Sequence, residues 1–485
     1  MLLDLILNRR LARLACAPIA LALAAAGCAT LNDQPAPAGA SVELEPIITL
    51  SPEARSISFL DQVQLWAGPD ARAVYAFSEM DADFEYLVTR SSTDGGRSWT
   101  EPVRLSPSGT QETRHHAFWI DRLPDGALGL LFWQRNMVTG KKSIFLSRST
   151  DDGRSWSERP PQVDGASESF LPSIAAAADG RVLISWLDER SAPDQGRTAN
   201  RVYKHYFSLS SDSGESWSIH DRRLPMEHQS RLVLSPESMI SGPTLLTMHF
   251  VADSAGYGLE AYRSADAGAN WSGVAIASDP YRSIFAEFAF LRRSGPPAFV
   301  FCQGKNRDAN LVLASSNDQG QTWQTQVLTT NTDIAYHVPV LARSQQGTLA
   351  LSWEQNVREA WVPMLSFSTD EGASWSKPIP VPAPARRETG FRTYPELAFD
   401  RSGALLVVWM DRVERRKDIY LNRTADLGQT WLDEPTKINT GTAATPDAWL
   451  PKLLALADGS ALALWQERDA TGSGPLLLRR FRVQP

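Results

Sequence analysis

The pattern Ser-x-Asp-x-Gly-x-Ser/Thr-Trp occurs seven times between residues 92 and 431, and no other feature constrains the fold of this chain as tightly. The first copy runs through Ser92, Asp94, Gly96, Ser98 and Trp99. The others centre on Asp151, Asp212, Asp266, Asp318, Asp370 and Asp426, followed five residues on by Trp156, Trp217, Trp271, Trp323, Trp375 and Trp431. Two copies vary, with Asn270 at the Ser/Thr place of the fourth and Thr424 at the Ser place of the seventh. Successive aspartates lie 52 to 61 residues apart, the length of one small antiparallel sheet with its loops, so the spacing predicts a repeat architecture. Each residue type has a mechanical reason: Asp accepts local backbone N–H bonds at a tight turn, Gly supplies positive φ, and Trp covers the turn's apolar side.

A second periodic signature lies upstream of the boxes. A Pro is followed by a Gly and then, 14 residues after the Pro, by a Trp: Pro172, Gly180, Trp186; Pro339, Gly347, Trp353; Pro395, Gly403, Trp409; Pro451, Gly459, Trp465. Two apolar runs split by a turn such as Asp179-Gly180 read as a β-hairpin, strands A and B of a sheet. The Pro is expected at a strand start or an edge, where a missing N–H is tolerated. Residues 58–77, 116–133, 231–250 and 284–301 show the same hairpin without the full signature. A third run leads into each box and a fourth follows it.

The motif resembles the Asp box, or BNR repeat, of sialidases. That resemblance spans some 340 residues and implies an all-β propeller of four-stranded antiparallel blades, with the boxes at the C-to-D turns, away from the usual active face. It therefore implies structural roles for the seven box aspartates. Counting strand A, B and C units predicts eight blades, the last comprising residues 449–481, with seven blades as the alternative. The strand at Val42–Leu50 has no partners of its own, and pairing it beside Leu476–Phe481 would close the ring and account for the missing eighth box.

Residues 1–27 read as an export signal, with Arg9, Arg10 and Arg13 ahead of an Ala-rich apolar run. Gly27-Cys28 resembles a bacterial lipobox, which implies lipidation at Cys28 and placement at the outer membrane or in the periplasm. Residues 28–41 would be a flexible tether and 42–485 one propeller domain. Cleavage would take the net charge from −7 to −9 and, with Cys28 acylated, leave Cys302 as the last free thiol. No basic, aromatic-interleaved block points to nucleic acid.

Function is expected where the strand A starts and B-to-C loops gather. Polar residues stand two positions beyond the strand B aromatic: Arg135, Asp188, Gln355, Asp411 and Glu467, with Arg190, Arg412 and Arg468 close behind. They fit either ion pairs between blades or guanidinium groups offered to an acidic sugar. Sialidase chemistry uses Arg groups for a substrate carboxylate, a Tyr nucleophile with its Glu, and an Asp acid or base. Arg392, Tyr394 and Glu396 form the best local match, expected to share one side of a strand. Two departures count against carrying catalysis over: the family's rings have six blades, and its Arg-Ile-Pro motif has no match here. The partner expected is a glycan or glycoconjugate, with possible exo-glycoside hydrolysis, or else a protein held by a non-catalytic scaffold. No cofactor or metal is expected: His115 and His116 alternate sides, and Glu79, Asp81, Asp83 and Glu85 read as a solvated acidic loop.

Overall fold

The computed structural model describes residues 41–484 apart from 52–62, 69, 71, 82–83, 106–112, 158–161, 166–168, 189–203, 227–231, 254–255, 280–288, 293–295, 304–308, 330–338, 358–359, 385–390, 414–415, 442–444 and 470–473. The export signal, Cys28 and the tether up to residue 40 lie outside the described residues, as does Arg190.

Strand β1 (Ser41–Ser51) opens the chain. Blade 1 holds β2 (Gln64–Ala67), β3 (Ala73–Asp81), β4 (Phe84–Ser92) and β5 (Val103–Leu105), and blade 2 holds β6 (Thr113–Arg122), β7 (Leu128–Asn136) and β8 (Lys142–Ser149). Blade 3 holds β9 (Ser169–Ala176), β10 (Val182–Asp188), β11 (Lys204–Ser210) and β12 (Ile219–Arg223); blade 4 holds β13 (Leu232–Ser241), β14 (Thr244–Asp253), β15 (Gly256–Ser264) and β16 (Ser272–Asp279). Blade 5 holds β17 (Ala289–Arg292), β18 (Ala298–Gln303), β19 (Asn310–Ser315) and β20 (Gln324–Val327); blade 6 holds β21 (Val340–Arg343), β22 (Leu349–Val357), β23 (Ala360–Ser368) and β24 (Ile379–Pro380). Blade 7 holds β25 (Arg392–Phe399), β26 (Leu405–Val413), β27 (Arg416–Thr424) and β28 (Thr436–Lys437). Blade 8 combines β29 (Asp447–Ala455), β30 (Ala461–Arg468) and β31 (Leu476–Gln484) with β1. In blade 2 the fourth position is marked by a single bridge, Phe145 to Gln162.

The count is eight. Ring closure follows the sequence reading, since β1 pairs antiparallel with β31 from Ser41–Gln484 to Ser51–Leu476. The apolar core confirms the ring, because it divides into eight clusters and each lies between adjacent blades. Val408, Met410, Ala463 and Trp465 join blades 7 and 8, and Tyr75, Phe77, Leu462 and Leu464 join blade 8 to blade 1. Among the described residues no helix is long and apolar enough to cross a membrane.

Pro339 stands just before β21, as the sequence implies, but the other three signature prolines sit deeper. Tyr394-Pro395 together oppose Trp409, Leu450-Pro451 oppose Trp465, and Leu171-Pro172 oppose Trp186, so each is a β-bulge inside strand A. The residue before the Pro takes φ of 56°, 53° and 49° in turn, which frees the Pro from the ladder. The acidic run Glu79–Glu85 also differs from expectation: Glu79 and Asp81 lie on β3 and pair across to Tyr86 and Phe84 on β4, forming a hairpin.

The boxes clasp neighbouring blades. In the third, Ser210 Oγ donates to Asp212 Oδ1, Gly214 N to Ser210 Oγ, Ser216 N to Asp212 Oδ1 and Ser216 Oγ to Asp212 Oδ2, at 2.5 to 2.8 Å. Both departures keep this network: Asn270 Nδ2 donates to Asp266 Oδ2 at 2.7 Å, and Thr424 Oγ1 to Asp426 Oδ1 at 2.9 Å. Hydrogen bonds, led by those from Ser216, Asn270, Thr322 and Ser374, hold Asp212, Asp266, Asp318 and Asp370 down to about 2. The box Gly is needed twice over. At Gly320, φ is +81° and a Cβ would come within 2.6 Å of Leu246 in the preceding blade, a pattern repeated by Gly153 against Val74 and Gly214 against Leu146.

Candidate functional site

Hairpins from B to C and the starts of strands A share the face opposite the boxes. Strand alternation puts residue i+2 on the same side as i, so the polar residue two beyond each strand B Trp can reach back to its indole. Trp409 Nε1 donates to Asp411 Oδ2 and Trp353 Nε1 to Gln355 Oε1, both at 3.4 Å. Asp188 differs. It is fully buried, and Ser169 Oγ lies 3.0 Å from its Oδ2 and 2.5 Å from Asp164 Oδ2. Burial pushes the Asp164 carboxyl up, against the Ser169 bond.

The bulge rearranges the expected catalytic trio. Arg392 pairs opposite Asp411, whereas Glu396 pairs opposite Val408, so the two project to opposite sides of blade 7 and do not share a side as alternation predicts. Arg392 is buried and its Nη1 donates to Val381 O of blade 6 at 2.6 Å. Glu396 turns to blade 8, where Lys452 Nζ lies 2.7 Å from its Oε1. Tyr394 N donates to Glu354 Oε1 at 2.6 Å, and its ring packs into the seam between blades 7 and 8. The position after the bulge Pro thus bridges to the next blade, as Ser173 does to Glu237 at 2.7 Å.

Among the described residues, aromatic, cationic and acidic side chains cluster at the mouth of the seam between blades 7 and 8. Trp449, half-buried at the start of β29, carries Lys417 Nζ 2.8 Å from its ring centroid and Arg468 Cζ at 5.7 Å. Burial lowers the Arg468 guanidinium, opposed by the adjacent Tyr394 phenol, and Arg468 Nε donates to Gln466 Oε1 at 2.7 Å. Beside them, Asp418 accepts Lys437 Nζ at 2.8 Å and Asn439 Nδ2 at 2.8 Å, and Arg416 Nε lies 3.1 Å from its Oδ1. Arg416 Nη2 lies 3.9 Å from Glu467 Oε1. Burial raises the Glu467 carboxyl, with Arg416 pulling it the other way, so it holds its proton to higher pH than an ordinary glutamate. A Cβ at Gly441 would overlap the Arg416 guanidinium, so backbone forms one wall of this group. Arg412 is exposed on the same face.

The site therefore gathers Tyr394, Glu467 and Arg468 of the residues expected from sequence, while Asp411 meets the Trp409 indole on the side facing blade 6 and Asp188 belongs to the seam between blades 2 and 3. Trp449, Arg416, Lys417, Asp418 and Lys437 were missed. Asp447-Ala-Trp449, two residues ahead of a signature Pro, was the available signal. Among the described residues no group of three or more His, Cys, Asp or Glu side chains is arranged to hold a metal ion.

Over residues 71–337 the chain matches the family described as a BNR repeat-like domain. Among solved structures it is similar to a Hadza microbial sialidase, at 16% identity over 74% of each chain with a TM-score of 0.33. It is also similar to an intramolecular trans-sialidase from Ruminococcus gnavus, at 15% identity over 87% of this chain and 95% of that one, TM-score 0.36. An ulvan lyase bound to a GlcA(1-4)Rha3S unit matches at 11% identity over 64% of this chain and 76% of that one, TM-score 0.43. No residue role is transferred at these identities. No curated protein sequence matches the chain.

Proposed function

Because the chain belongs to the BNR repeat-like domain family, we propose that this sialidase-like propeller binds a glycan or glycoconjugate at the mouth of the seam between blades 7 and 8. The supporting observation is an aromatic ring flanked by two cations on the loop-bearing face: Trp449 with Lys417 and Arg468. A half-buried indole offers an apolar surface to the C–H face of a sugar ring, and Arg468 offers paired N–H groups to a hydroxyl or carboxylate. Hydrolysis of an exo-glycoside needs a proton donor, and Glu467 supports that role because burial keeps its carboxyl protonated to higher pH. Calorimetric titration with neutral and carboxylated oligosaccharides tests binding. Trp449→Ala and Arg468→Ala should each weaken it at least about ten-fold, roughly 1.4 kcal/mol. Binding that ignores both substitutions, or no binding to any glycan, would remove this reading in favour of a protein partner.

We also propose that the protein is held at the bacterial envelope through lipid on Cys28. Ser41 pairs beside Gln484 on the box side of blade 8, so a chain tethered from its N-terminus would hold the candidate face away from the bilayer. Mass spectrometry of the mature N-terminus is the check, with an unmodified Cys28 as the contrary result.

A further inference from the structure

Four blades place a buried Trp in strand B, at Trp186, Trp353, Trp409 and Trp465. Blade 4 breaks the pattern. There the bulge Ser235-Pro236 lies opposite His249, between the pairs Leu234–Phe250 and Glu237–Met248. Its ring meets His205 of blade 3 across the seam, with Nδ1 atoms 3.2 Å apart and rings crossed at 78°. Both side chains are fully buried, and His249 stacks on Tyr262 at 5.4 Å. The surrounding seam is also polar, with Ser185 and Ser238 sharing a hydrogen bond at 2.8 Å.

Two imidazoles can share one Nδ1···Nδ1 hydrogen bond when one nitrogen carries a proton and the other a lone pair. Glu260 Oε2 lies 4.0 Å from His249 Nε2, which favours the proton there and leaves His205 to donate from Nδ1. A second added charge would set two N–H groups against each other in a site that excludes water. Neither Nε2 has a hydrogen-bond partner to spread that charge. The charged groups on the packed strands, among the residues with described side chains, are Asp188 on β10, Lys204 on β11, Asp221, Arg222 and Arg223 on β12, Glu237 on β13, and Glu260 and Arg263 on β15. Of these, Glu260 approaches the His249 ring nitrogen.

We propose that the His205–His249 pair is a proton-sensitive latch, closed at neutral pH and released by acid, that opens the seam between blades 3 and 4. Burial holds His249 down to about 3 and, with the His249 charge, pushes His205 well below 6.5. The sign follows: the unfolded rings take up protons below about 6.5 and the folded ones resist, so stability is present above that pH and lost as pH falls toward 3. The Asp boxes, whose folded carboxylates are held down to about 2, lose stability only below about 4, where the carboxylates of the unfolded chain begin to protonate, so the two windows are distinct above about pH 4.

Urea unfolding of the full chain, compared at about pH 7 and about pH 5, tests the latch. The unfolding constant should rise by up to about ten-fold per pH unit for each ring. His249→Trp, which installs the residue found in four of the other blades, and His205→Gln should both flatten that dependence. Should His249→Trp fail to fold, His205→Gln alone decides. Hydrogen exchange, corrected for intrinsic rate, should show acid-dependent opening concentrated in β11 and β14. A pH dependence unchanged in His205→Gln, or exchange in β11 and β14 no faster at about pH 5 than at about pH 7, would overturn the proposal.

Discussion

The two faces of the ring are built on opposite logic. On the box face seven turns repeat one hydrogen-bond network, and ion pairs extend across neighbouring blades: Arg72 of blade 1 reaches Asp152, which Arg122 of blade 2 also holds, while Arg148 bonds Asp125 within blade 2 and lies 3.3 Å from Glu215 of blade 3. Seven of the eight blades contribute a box there. On the opposite face the blades differ, and among the described residues cationic and aromatic side chains cluster at one seam, around Trp449 and Asp418. Repetition on one side serves the scaffold, which leaves the other side free to vary.

Substitutions should separate the faces. The largest effect is expected at a box glycine: Gly320→Ala forces a Cβ against Leu246 at φ +81° and should cost about 3 kcal/mol, read as a lowered urea midpoint, with glycan affinity of the folded fraction intact. Next comes Gly441→Ala, which displaces Arg416 and should weaken glycan binding about five-fold while moving the midpoint less than Gly320→Ala does. Equal effects of the two on binding would erase the contrast between faces. Acid provides the third comparison. The box carboxylates of Asp212, Asp266, Asp318 and Asp370, held down to about 2 against 3.8, lend stability above about 4 that disappears as pH falls toward 2. Asp370→Asn should remove one such contribution and make the acid unfolding curve shallower, measured by tryptophan fluorescence. The smallest effect is expected at Glu396→Gln, which breaks a partly exposed pair with Lys452 and should cost about 0.5 kcal/mol.

Thiol chemistry gives no handle on either face. Burial pushes Cys302 up to about 12, so it stays a protonated thiol at neutral pH.

Much of the fold was legible because turn chemistry is local. Asp94, Gly96 and Ser98 act within five residues of one another, so their spacing reports their geometry, and even Asn270 and Thr424 could be read as equivalents. The closing strand was legible too, since Val42–Leu50 had nowhere else to pair. The site was less so. Arg392, Tyr394 and Glu396 look co-facial by strand alternation, and one bulged residue cancels that. Sequence periodicity cannot register a bulge, because the extra residue is identified only by what lies opposite it.

Sequence alone determined a ring of eight antiparallel blades, a scaffold face of Asp boxes and a second face for function. Tertiary structure decided which side chains meet on that second face. Trp449 and Lys417 lie 32 residues apart in the chain, and His205 and His249 lie 44 apart. Each pair is brought together only when neighbouring blades pack, so no local pattern encodes it.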